Sequence, residues 1–498
     1  MTEGAFLGLD VGTSGVRAIL VRPSGEVVAS ATSSLAMSTP RPGWAEQDPE
    51  DWWAASVAAI TTARRGAPNE RVLAVGISGQ MHSSVFLDRE GRVIRPALLW
   101  CDGRTTSQCA EITRRAGGEG KLQAMVSNPA LEGFTLPKIL WLRECEPEAY
   151  ARLATVLLAK DFIRYRLTGV LATEPSDASG SLMFDPVRMR WSDDLLAAVD
   201  IPRTLLPDVG GSAEVLGRVH GAGEKATGLA VGTPVVGGGA DNACGAAGVG
   251  VVRQGDAVAS WGTSGTLLAP TDTPIVEPGL RAHTFCHVSP NLWYVMGVVL
   301  SAGGAFSWYR DQLARDLAGA PNSDMLLDAE AETIPAGAEG VTFLPYLQGE
   351  RTPHRDASAR GAFLGLTLAH TRAHLTRAVL EGICFALRDS LSLLQSLGLG
   401  PAELLLTGGG ARSPFLRQLQ ADVYGLPVAT VNREEGPAYG AALLGAVGAG
   451  AYSDLTTATQ ATLTRGAVLR PDSDTHRAYN VAYARFQRAF VAARPDRL

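Results

Sequence analysis

The sequence has little charge for its length and almost no lysine. Charged residues make up 19% of its 498 residues, and only four of its 44 basic residues are lysines. The net charge is −6. Without a basic excess to neutralise phosphates, we expect neither a nucleic acid nor an anionic membrane as a partner. The 46% share of apolar residues predicts a globular chain rather than a disordered one.

Cysteine is scarce and scattered. The six cysteines form no C-x-x-C pair, which excludes a disulfide scaffold and predicts a reducing compartment. The segment from Met1 to Gly4 carries no positive charge, and Asp10 interrupts the apolar residues after it, so we expect no signal peptide. The most apolar stretch, residues 229–252, contains Asp241 and several glycines and is not typical of a membrane span. A cytoplasmic location is expected.

Several common catalytic motifs are missing. Gly120-Lys121 is followed by Leu122, so no G-x-x-x-x-G-K-[ST] loop is present, and neither H-E-x-x-H nor G-x-S-x-G occurs. The histidine pairs at 283/287 and 370/374 have helical spacing but lack a third ligand at a matching distance. These absences argue against P-loop proteins, serine hydrolases and zinc enzymes.

A four-residue string is repeated about half a chain apart. Gly12-Thr13-Ser14-Gly15 recurs as Gly262-Thr263-Ser264-Gly265. Each copy lies between two apolar runs, which predicts a hairpin with a small polar tip. Chance recurrence in a glycine-rich chain is the alternative, but the length of the chain already predicts two domains. The repeat therefore predicts a duplicated domain whose two hairpin tips face one cleft.

The rest of the chain alternates helix-like and strand-like segments, which predicts α/β units. Helix-like patterns cover residues 52–63, 138–142 and 374–397, and strand-like patterns cover residues 71–77 and 340–345. We place the domain boundary near residue 240, which gives domains at residues 1–240 and 241–498.

The two hairpin tips are candidate phosphate sites. Consecutive backbone N–H groups and small hydroxyls can bind oxyanions without a lysine, because aligned N–H dipoles supply a positive field. Asp10, just before the first tip, can hold a hydrated Mg²⁺; the alternative is an ordinary turn aspartate.

Asp241 and His82 are candidate polar groups for a substrate. Asp241 follows a strand-like segment and lies among glycines, so it is a general base that a hydroxyl can approach, or else the N-cap of the alanine-rich segment 243–247. The residues alone do not separate these alternatives. His82 follows the strand at 71–77 and is either a substrate contact or a structural histidine.

Two longer patterns resemble the signatures of the FGGY family of carbohydrate kinases. The second signature is matched throughout, as Gly361-x-Phe363-x-Gly365-Leu366, seven further residues, and His374-Leu375-x-x-Ala378-Val379-Leu380-Glu381. The first runs Gly133-x-Thr135-x-x-Lys138-Ile139-x-Trp141-Leu142-x-Glu144 and ends in Cys145, where the family has a polar residue. The resemblance covers essentially the whole chain.

Shorter stretches extend the resemblance, and two positions depart from it. The matching stretches are Trp44 to Pro49, Gly79 to His82, Asp102 to Arg104, Leu344 to Pro353 and Gly408 to Ser413. Ser83 stands where the family usually has glycine, and Cys101 where it usually has asparagine. Both lie near the sugar site that the family implies, so they bear on which sugar is bound.

The resemblance implies a fold and a set of site residues. The fold is the two-domain actin/Hsp70/hexokinase-like (ribonuclease H-like) α/β fold with a catalytic cleft between the domains. By resemblance, Asp241 is the catalytic base, and the sugar contacts are Met81, His82, Asp241 and Asn242. The ATP contacts are Gly12, Thr13 and Ser14 in the first phosphate loop, Gly262, Thr263 and Ser264 in the second, and Gly409, Gly410 and Ser413 at the nucleotide end, with Asp10 holding Mg²⁺ through water.

The implied activity is ATP-dependent phosphorylation of a ketopentose, D-xylulose first, to give the 5-phosphate. Another ketose such as ribulose, or a polyol, is the alternative within the family. A rival from a different class is a nucleotide-driven switch ATPase on the same fold, which fold alone does not exclude. Asp241 and the Met81-His82 pair favour the kinase, because a switch needs neither. The resemblance also implies a homodimer.

Overall fold

The computed structural model describes residues 4–433 and 435–493, and within them helices and strands alternate as expected. Met1 to Glu3, which belong to the segment inspected for a signal peptide, lie outside this part. The first half contains β1 (Ala5–Val11), β2 (Gly15–Val21), β3 (Val27–Ser34), β4 (Glu46–Gln47), α1 (Pro49–Gly66), β5 (Val72–Gly79), β6 (Val85–Leu87), β7 (Ala97–Leu98), α2 (Thr106–Arg115), α3 (Glu119–Val126), α4 (Thr135–Cys145), α5 (Pro147–Arg152), β8 (Thr155–Leu157), α6 (Ala159–Thr168), β9 (Ala172–Thr173), α7 (Pro175–Ala178), β10 (Phe184–Asp185), β11 (Arg190–Trp191), α8 (Asp193–Val199), β12 (Asp208–Val209), β13 (Val215–Arg218), α9 (Gly221–Thr227), β14 (Pro234–Val236), β15 (Gly239–Ala240) and α10 (Asp241–Gly248).

The second half repeats the alternation with longer helices. It contains β16 (Val258–Trp261), β17 (Gly265–Thr271), β18 (His283–Cys286), β19 (Trp293–Val299), α11 (Gly303–Leu313), α12 (Ser323–Glu332), β20 (Thr342–Leu344), β21 (Ala362–Leu364), α13 (Arg372–Ser396), β22 (Leu404–Gly408), α14 (Pro414–Tyr424), β23 (Val428–Ala429), α15 (Pro437–Gly448), α16 (Leu455–Thr462) and α17 (Ser473–Ala492).

Two large sheets share one strand plan. In the first sheet, β1 pairs antiparallel with β2 and parallel with β5, and β2 pairs antiparallel with β3. In the second, β16 pairs antiparallel with β17 and parallel with β22, and β17 pairs antiparallel with β19. The repeated tetrapeptide therefore connects the corresponding hairpin in each sheet, which confirms the predicted duplication.

Helix α15 packs directly on the first sheet, although it comes from the far end of the chain. A Cβ at Gly8 in β1 would lie 2.0 Å from the carbonyl oxygen of Ala438, and one at Gly76 in β5 would lie 1.8 Å from that of Ala441. Only glycine permits this approach of helix to strand. Helix α10 packs on the other side of α15, where Gly440 meets the backbone of Cys244. The boundary near residue 240 stays a prediction.

The second sheet is covered by the long helix α13. Its residues from Ala378 to Leu387 are almost fully buried, and they pack with Phe343 of β20 and with Tyr479 and Phe486 of α17 in one hydrophobic cluster. Thr371 and His374 form a reciprocal capping box at the N-terminus of α13, so His374 of the second signature has a local structural role.

The six cysteines are free thiols. In the part of the chain that the structure describes, no helix combines the length and the apolar composition needed to cross a bilayer.

The close contact between α15 and β5 gives a stability prediction. Gly76→Ala places a methyl group inside van der Waals contact with the backbone of Ala441, so either the helix or the strand must move. We expect a loss of about 3 kcal/mol or more, measured as a lower midpoint of urea unfolding. Gly120→Ala is the matched control, because a Cβ there meets nothing within 4 Å, and it should be neutral or slightly stabilising. Equal midpoints for the two variants would contradict the packing argument.

Candidate active site

The first hairpin tip follows β1 and is closed by a backbone hydrogen bond from Gly12 N to the carbonyl oxygen of Gly15, 3.0 Å long. The second tip is closed one residue earlier in the repeat, from Gly262 N to the oxygen of Ser264, also at 3.0 Å. The N-terminus of α11 supports the second tip, since Gly303 N donates to the oxygen of Gly262 at 2.8 Å. Both tips are therefore held in compact turns that remain open to solvent.

Asp10 lies near the carboxyl end of β1, directly opposite Ser78 of β5. Its Oδ1 atom is buried and has no hydrogen-bond partner among the described residues. Burial raises the pKa of this carboxyl to about 6, although the neighbouring Ser78 hydroxyl and the nearby charge of Arg17 oppose the rise. Asp10 is thus an acidic group with unused coordinating capacity.

Asp241 is the first residue of α10 and follows β15, whose Gly239 and Ala240 pair with Ser78 and Gly79 of β5. Ala240 occupies the N-cap position, so Asp241 is not the N-cap considered as the alternative. Its Oδ1 accepts from the backbone N–H of Asn242 at 2.7 Å and from Asn242 Nδ2 at 3.0 Å. The pKa of the Asp241 carboxyl rises to about 7, chiefly through burial and then through the charge of Asp10.

The two carboxyls fit a hydrated divalent cation. Both carry a raised pKa, and the negative charge of Asp10 is one cause of the rise at Asp241, so a positive ion between them would relieve the repulsion. Within residues 4–433 and 435–493, no group of three or more His, Cys, Asp or Glu side chains could hold a metal. This donor set suits Mg²⁺, which keeps several waters and takes further ligands from phosphate oxygens.

Met81 and Asn242 meet beside Asp241. Asn242 Nδ2 lies 3.7 Å from Met81 Sδ, and the hydroxyl of Tyr294 lies 4.0 Å from the same sulfur. The structure therefore brings together three of the predicted sugar-site residues, Met81, Asp241 and Asn242.

His82 is half-buried and has a left-handed backbone conformation, with φ +68°. Its Nδ1 is hydrogen-bonded to the carbonyl oxygen of Gly180, and burial lowers the pKa of the ring well below its usual value. The ring is therefore neutral with the proton on Nδ1, which leaves Nε2 as a hydrogen-bond acceptor.

The first signature supports His82, a role that sequence reasoning missed. Lys138 Nζ donates to the carbonyl oxygen of His82 at 2.9 Å and to that of Gly133 at 2.7 Å, and Thr135 Oγ1 donates to the His82 oxygen at 3.1 Å. The Phe134 ring packs edge-on against the His82 ring at 4.6 Å. These contacts hold His82 in its left-handed conformation. No signal of them appears in the sequence, because the first signature and His82 lie far apart along the chain.

The two positions that depart from the family pattern differ in burial. Ser83 is fully buried, and its hydroxyl donates to Gln80 Oε1 at 3.1 Å. Cys101 is exposed. Ser83 therefore stabilises the loop at residues 80–83 through a buried hydrogen bond.

A cavity of about 300 Å³ extends from Asp241 and Asn242 towards β22 and the N-terminus of α15. Its far walls are formed by Thr407, Gly408, Arg412 and Gly436. Of the residues predicted at the nucleotide end, Gly410 lies against the ring of Trp261 and the hydroxyl of Ser413 accepts from Leu416 N, as the N-cap of α14. Gly409 lies between Gly408 and Gly410. The assignment of these three to ATP stays a prediction.

Arg17 was not singled out by the sequence, although it lies beside the site. It is paired with Asp10 across the β1–β2 hairpin, and its guanidinium forms an ion pair with Glu435, next to Gly436 in the cavity wall. It places a positive charge beside Asp10, near the first hairpin tip.

The comparisons with known proteins identify the family of the chain. The chain matches the FGGY family of carbohydrate kinases, N-terminal domain, over residues 5–248, and the C-terminal domain of that family over residues 257–449. It is 42% identical over 445 residues to the xylulose kinase of Escherichia coli (strain K12), which covers 89% of this chain and 90% of that protein.

Two solved structures show the same fold over nearly the whole chain. The xylulose kinase from Rhodospirillum rubrum matches with a TM-score of 0.90 at 32% identity, covering 99% of each chain. The gluconate kinase from Lactobacillus acidophilus matches with a TM-score of 0.92 at 26% identity, also covering 99% of each chain. The expected two-domain α/β kinase fold is confirmed, and the second match shows that this fold alone does not select one sugar.

The raised pKa of Asp241 predicts how stability depends on pH. Because its pKa rises from the usual 3.8 to about 7, the folded protein holds a proton there that the unfolded chain has lost. This contribution to stability is full below pH 3.8 and is lost as pH rises through 7. Asp241→Asn, which cannot ionise, should therefore be more stable than the wild type at pH 8, by about 4 kcal/mol at most, and nearly equal to it near pH 4.

Thermal unfolding in metal-free buffer at the two pH values measures this difference. Asp208→Asn is the control, since the Asp208 side chain is almost fully exposed, and it should show no such pH dependence. A gain for Asp241→Asn of the same size at both pH values would contradict the electrostatic account.

Proposed function

The chain belongs to the FGGY family of carbohydrate kinases, and we propose that it transfers the γ-phosphoryl group of ATP to the terminal hydroxyl of D-xylulose, giving D-xylulose 5-phosphate. The observation that carries this proposal is a carboxyl, Asp241, with its pKa raised to about 7 beside the Met81 and Asn242 side chains and at the mouth of the cavity. Similarity to xylulose kinases supports the choice of sugar.

In the proposed reaction Asp241 is the general base. It accepts the proton of the sugar hydroxyl while that oxygen attacks the γ-phosphorus in line and the bond to the β-phosphate oxygen breaks. A pKa of about 7 suits a base that works near neutral pH, because it combines an ionised fraction with a useful proton affinity. A switch ATPase has no need of such a group.

The backbone N–H groups of the two tips would hold the phosphate chain from both sides, with Gly12, Thr13 and Ser14 in one loop and Gly262, Thr263 and Ser264 in the other. Asp10 would hold Mg²⁺ through water, and the ion when bound neutralises charge on the transferring group. Its orphaned Oδ1 atom supports this assignment.

Met81, His82 and Asn242 would bind the sugar. The neutral His82 ring offers Nε2 as an acceptor for a sugar hydroxyl, while Asn242 has polar atoms next to the base. Gly409, Gly410 and Ser413 would lie at the nucleotide end of the cleft. The enzyme would act in the cytoplasm, which its six free cysteines support, and a homodimer is the family-level expectation.

We also propose that the halves at residues 1–240 and 241–498 close around the substrates. The two tips grip the γ-phosphate together only when the cleft is shut, and closure excludes water as a competing nucleophile. The glycines within residues 237–250 are the candidate hinge. Among them, Gly238 and Gly250 lie outside the strands and helices and have positive φ values, +77° and +84°.

Coupled ADP release with a panel of sugars tests the proposed function. We expect rapid release with D-xylulose, weaker release with ribulose and polyols, and basal ATP hydrolysis without sugar that is slower by orders of magnitude. Preferred turnover of another sugar would assign the enzyme to that substrate. Hydrolysis equally fast with and without every sugar would overturn the kinase proposal and favour the switch ATPase.

Asp241→Asn tests the base. The substitution keeps size and hydrogen bonding but removes the proton acceptor, so kcat should fall by roughly 10²–10⁴-fold. The affinity for a non-hydrolysable ATP analogue should stay nearly unchanged in calorimetry. Near-normal turnover of the purified variant would remove Asp241 from the mechanism.

His82→Ala tests the sugar site. One polar contact is lost in a closed site, so kcat/KM for xylulose should fall by about 1–3 kcal/mol in equivalent free energy, mainly through KM. Phe486→Leu, a substitution in the buried cluster where α17 packs on Tyr346 and Phe385, controls for general destabilisation. An equal loss of ATP affinity in His82→Ala would place His82 outside the sugar site.

A further inference from the structure

A chain of buried side-chain hydrogen bonds joins the first phosphate loop to the loop that carries Met81 and His82. Gln80 lies at its centre and is only 1% exposed. Its Oε1 accepts from Thr13 Oγ1 at 3.2 Å and from Ser83 Oγ at 3.1 Å, and its Nε2 donates to Gln47 Oε1 at 3.3 Å. Gln80 therefore touches both loops without reaching the cleft surface itself.

Two tryptophans fix the direction of every bond in this chain. An indole N–H can only donate, and Trp52 Nε1 donates to Gln47 Oε1 at 2.9 Å. The amide oxygen of Gln47 thus faces Trp52 and Gln80, so Gln80 must present its NH₂ group to Gln47 and its oxygen to Thr13.

The hydrogen bonds at the Thr13 end of the chain give the same assignment of donors and acceptors. Trp100 Nε1 donates to Thr13 Oγ1 at 2.9 Å. The Thr13 hydroxyl therefore accepts from Trp100 and donates its single proton to Gln80. The side chain of Thr13 has no proton left for a phosphate oxygen. Its contribution to phosphate binding must then come from the backbone, whose position the side chain controls.

The backbone is tied to the same group. Gln47 Nε2 donates to the Thr13 carbonyl oxygen at 2.7 Å, and Gln80 N donates to the Val11 carbonyl oxygen at 2.9 Å. A shift of Gln80 would therefore move the tip that follows Val11 and the sugar loop that begins at Met81 together.

We infer that Gln80 is a positioning residue that holds the first phosphate loop and the sugar loop as one unit through the Thr13 hydroxyl. The inference deepens the proposed function and rests on it for the identity of the two loops. It concerns a residue that would contact neither sugar nor nucleotide.

A double-mutant cycle tests this inference without any sugar. Binding of a non-hydrolysable ATP analogue with Mg²⁺ is measured by calorimetry for the wild type, Thr13→Val, Gln80→Met and the double variant. Each single variant breaks the same hydrogen bond, so each should weaken binding on the order of tenfold, and the double variant should bind no more weakly than the weaker single one. Multiplicative losses, or no loss in Gln80→Met, would overturn the inference.

Gln108→Met is the matched control. Gln108 is 4% exposed, accepts from Ser107 Oγ at 3.1 Å and donates to Glu144 at 2.6 Å, away from both loops. It should lower the melting temperature about as much as Gln80→Met but leave analogue affinity unchanged. Loss of affinity in both variants would show a general effect of destabilisation and would contradict the inference.

If Gln80→Met does not fold, two variants of Thr13 carry the test. Thr13→Ser keeps the hydroxyl and should keep the wild-type KM for xylulose within about threefold, whereas Thr13→Val should raise it on the order of tenfold, although Thr13 belongs to the phosphate loop. Equal KM values for the two variants would overturn the inference. If the wild type phosphorylates no sugar, the proposed function fails. The double-mutant cycle on analogue binding still tests the role of Gln80, because it uses no sugar.

Discussion

Two half-buried carboxyls lie at the carboxyl end of one sheet. Asp10 lies near the end of β1 and Asp241 follows β15, and both strands pair with β5 at Ser78 and Gly79. The pKa of Asp241 is raised chiefly by burial and further by the negative charge of Asp10, so ionising both carboxyls costs free energy. The protein tolerates that cost at a position where a cation and a phosphate would use it. The surrounding hairpins, glycines and loop contacts all serve to keep these two groups in place.

The duplicated strand plan explains why the cleft has two similar walls. Each sheet sends out one hairpin with a Gly-Thr-Ser-Gly tip, and each tip closes with a similar backbone hydrogen bond. The walls differ in what lies behind them. The first tip is hydrogen-bonded to Trp100 and Gln80 through the Thr13 side chain, whereas the second accepts hydrogen bonds from backbone N–H groups at the N-terminus of α11. The two hairpin tips are therefore similar turns, but side chains stabilise the first and backbone hydrogen bonds stabilise the second.

The sequence allowed the local structure to be predicted, together with the residues that the structure brings near Asp241. Apolar runs beside Gly12 and Gly262 predict hairpins because the signal is confined to a few neighbouring residues. The contacts of Lys138 with His82, of Gln80 with Thr13, and of α15 with β5 were not predictable, because their partners are far apart in the chain and each side chain by itself suits many environments. Ser413 was assigned to the nucleotide from its motif, and this assignment stays a prediction; that its hydroxyl caps α14 was not predicted.

The number of protons released when Mg²⁺ and a non-hydrolysable ATP analogue bind tests the central claim most directly. It is obtained from calorimetric heats at pH 6.5 in buffers of different ionisation enthalpy. With pKa values of about 6 and about 7 for Asp10 and Asp241, the free protein carries about one proton on the pair at this pH, and binding of the cation should expel most of it. Asp241→Asn provides the reference, because the analogue's own protons are the same, and it should release clearly fewer. Equal release by the wild type and Asp241→Asn would contradict the account of two neighbouring carboxyls whose raised pKa values a cation held by Asp10 would lower.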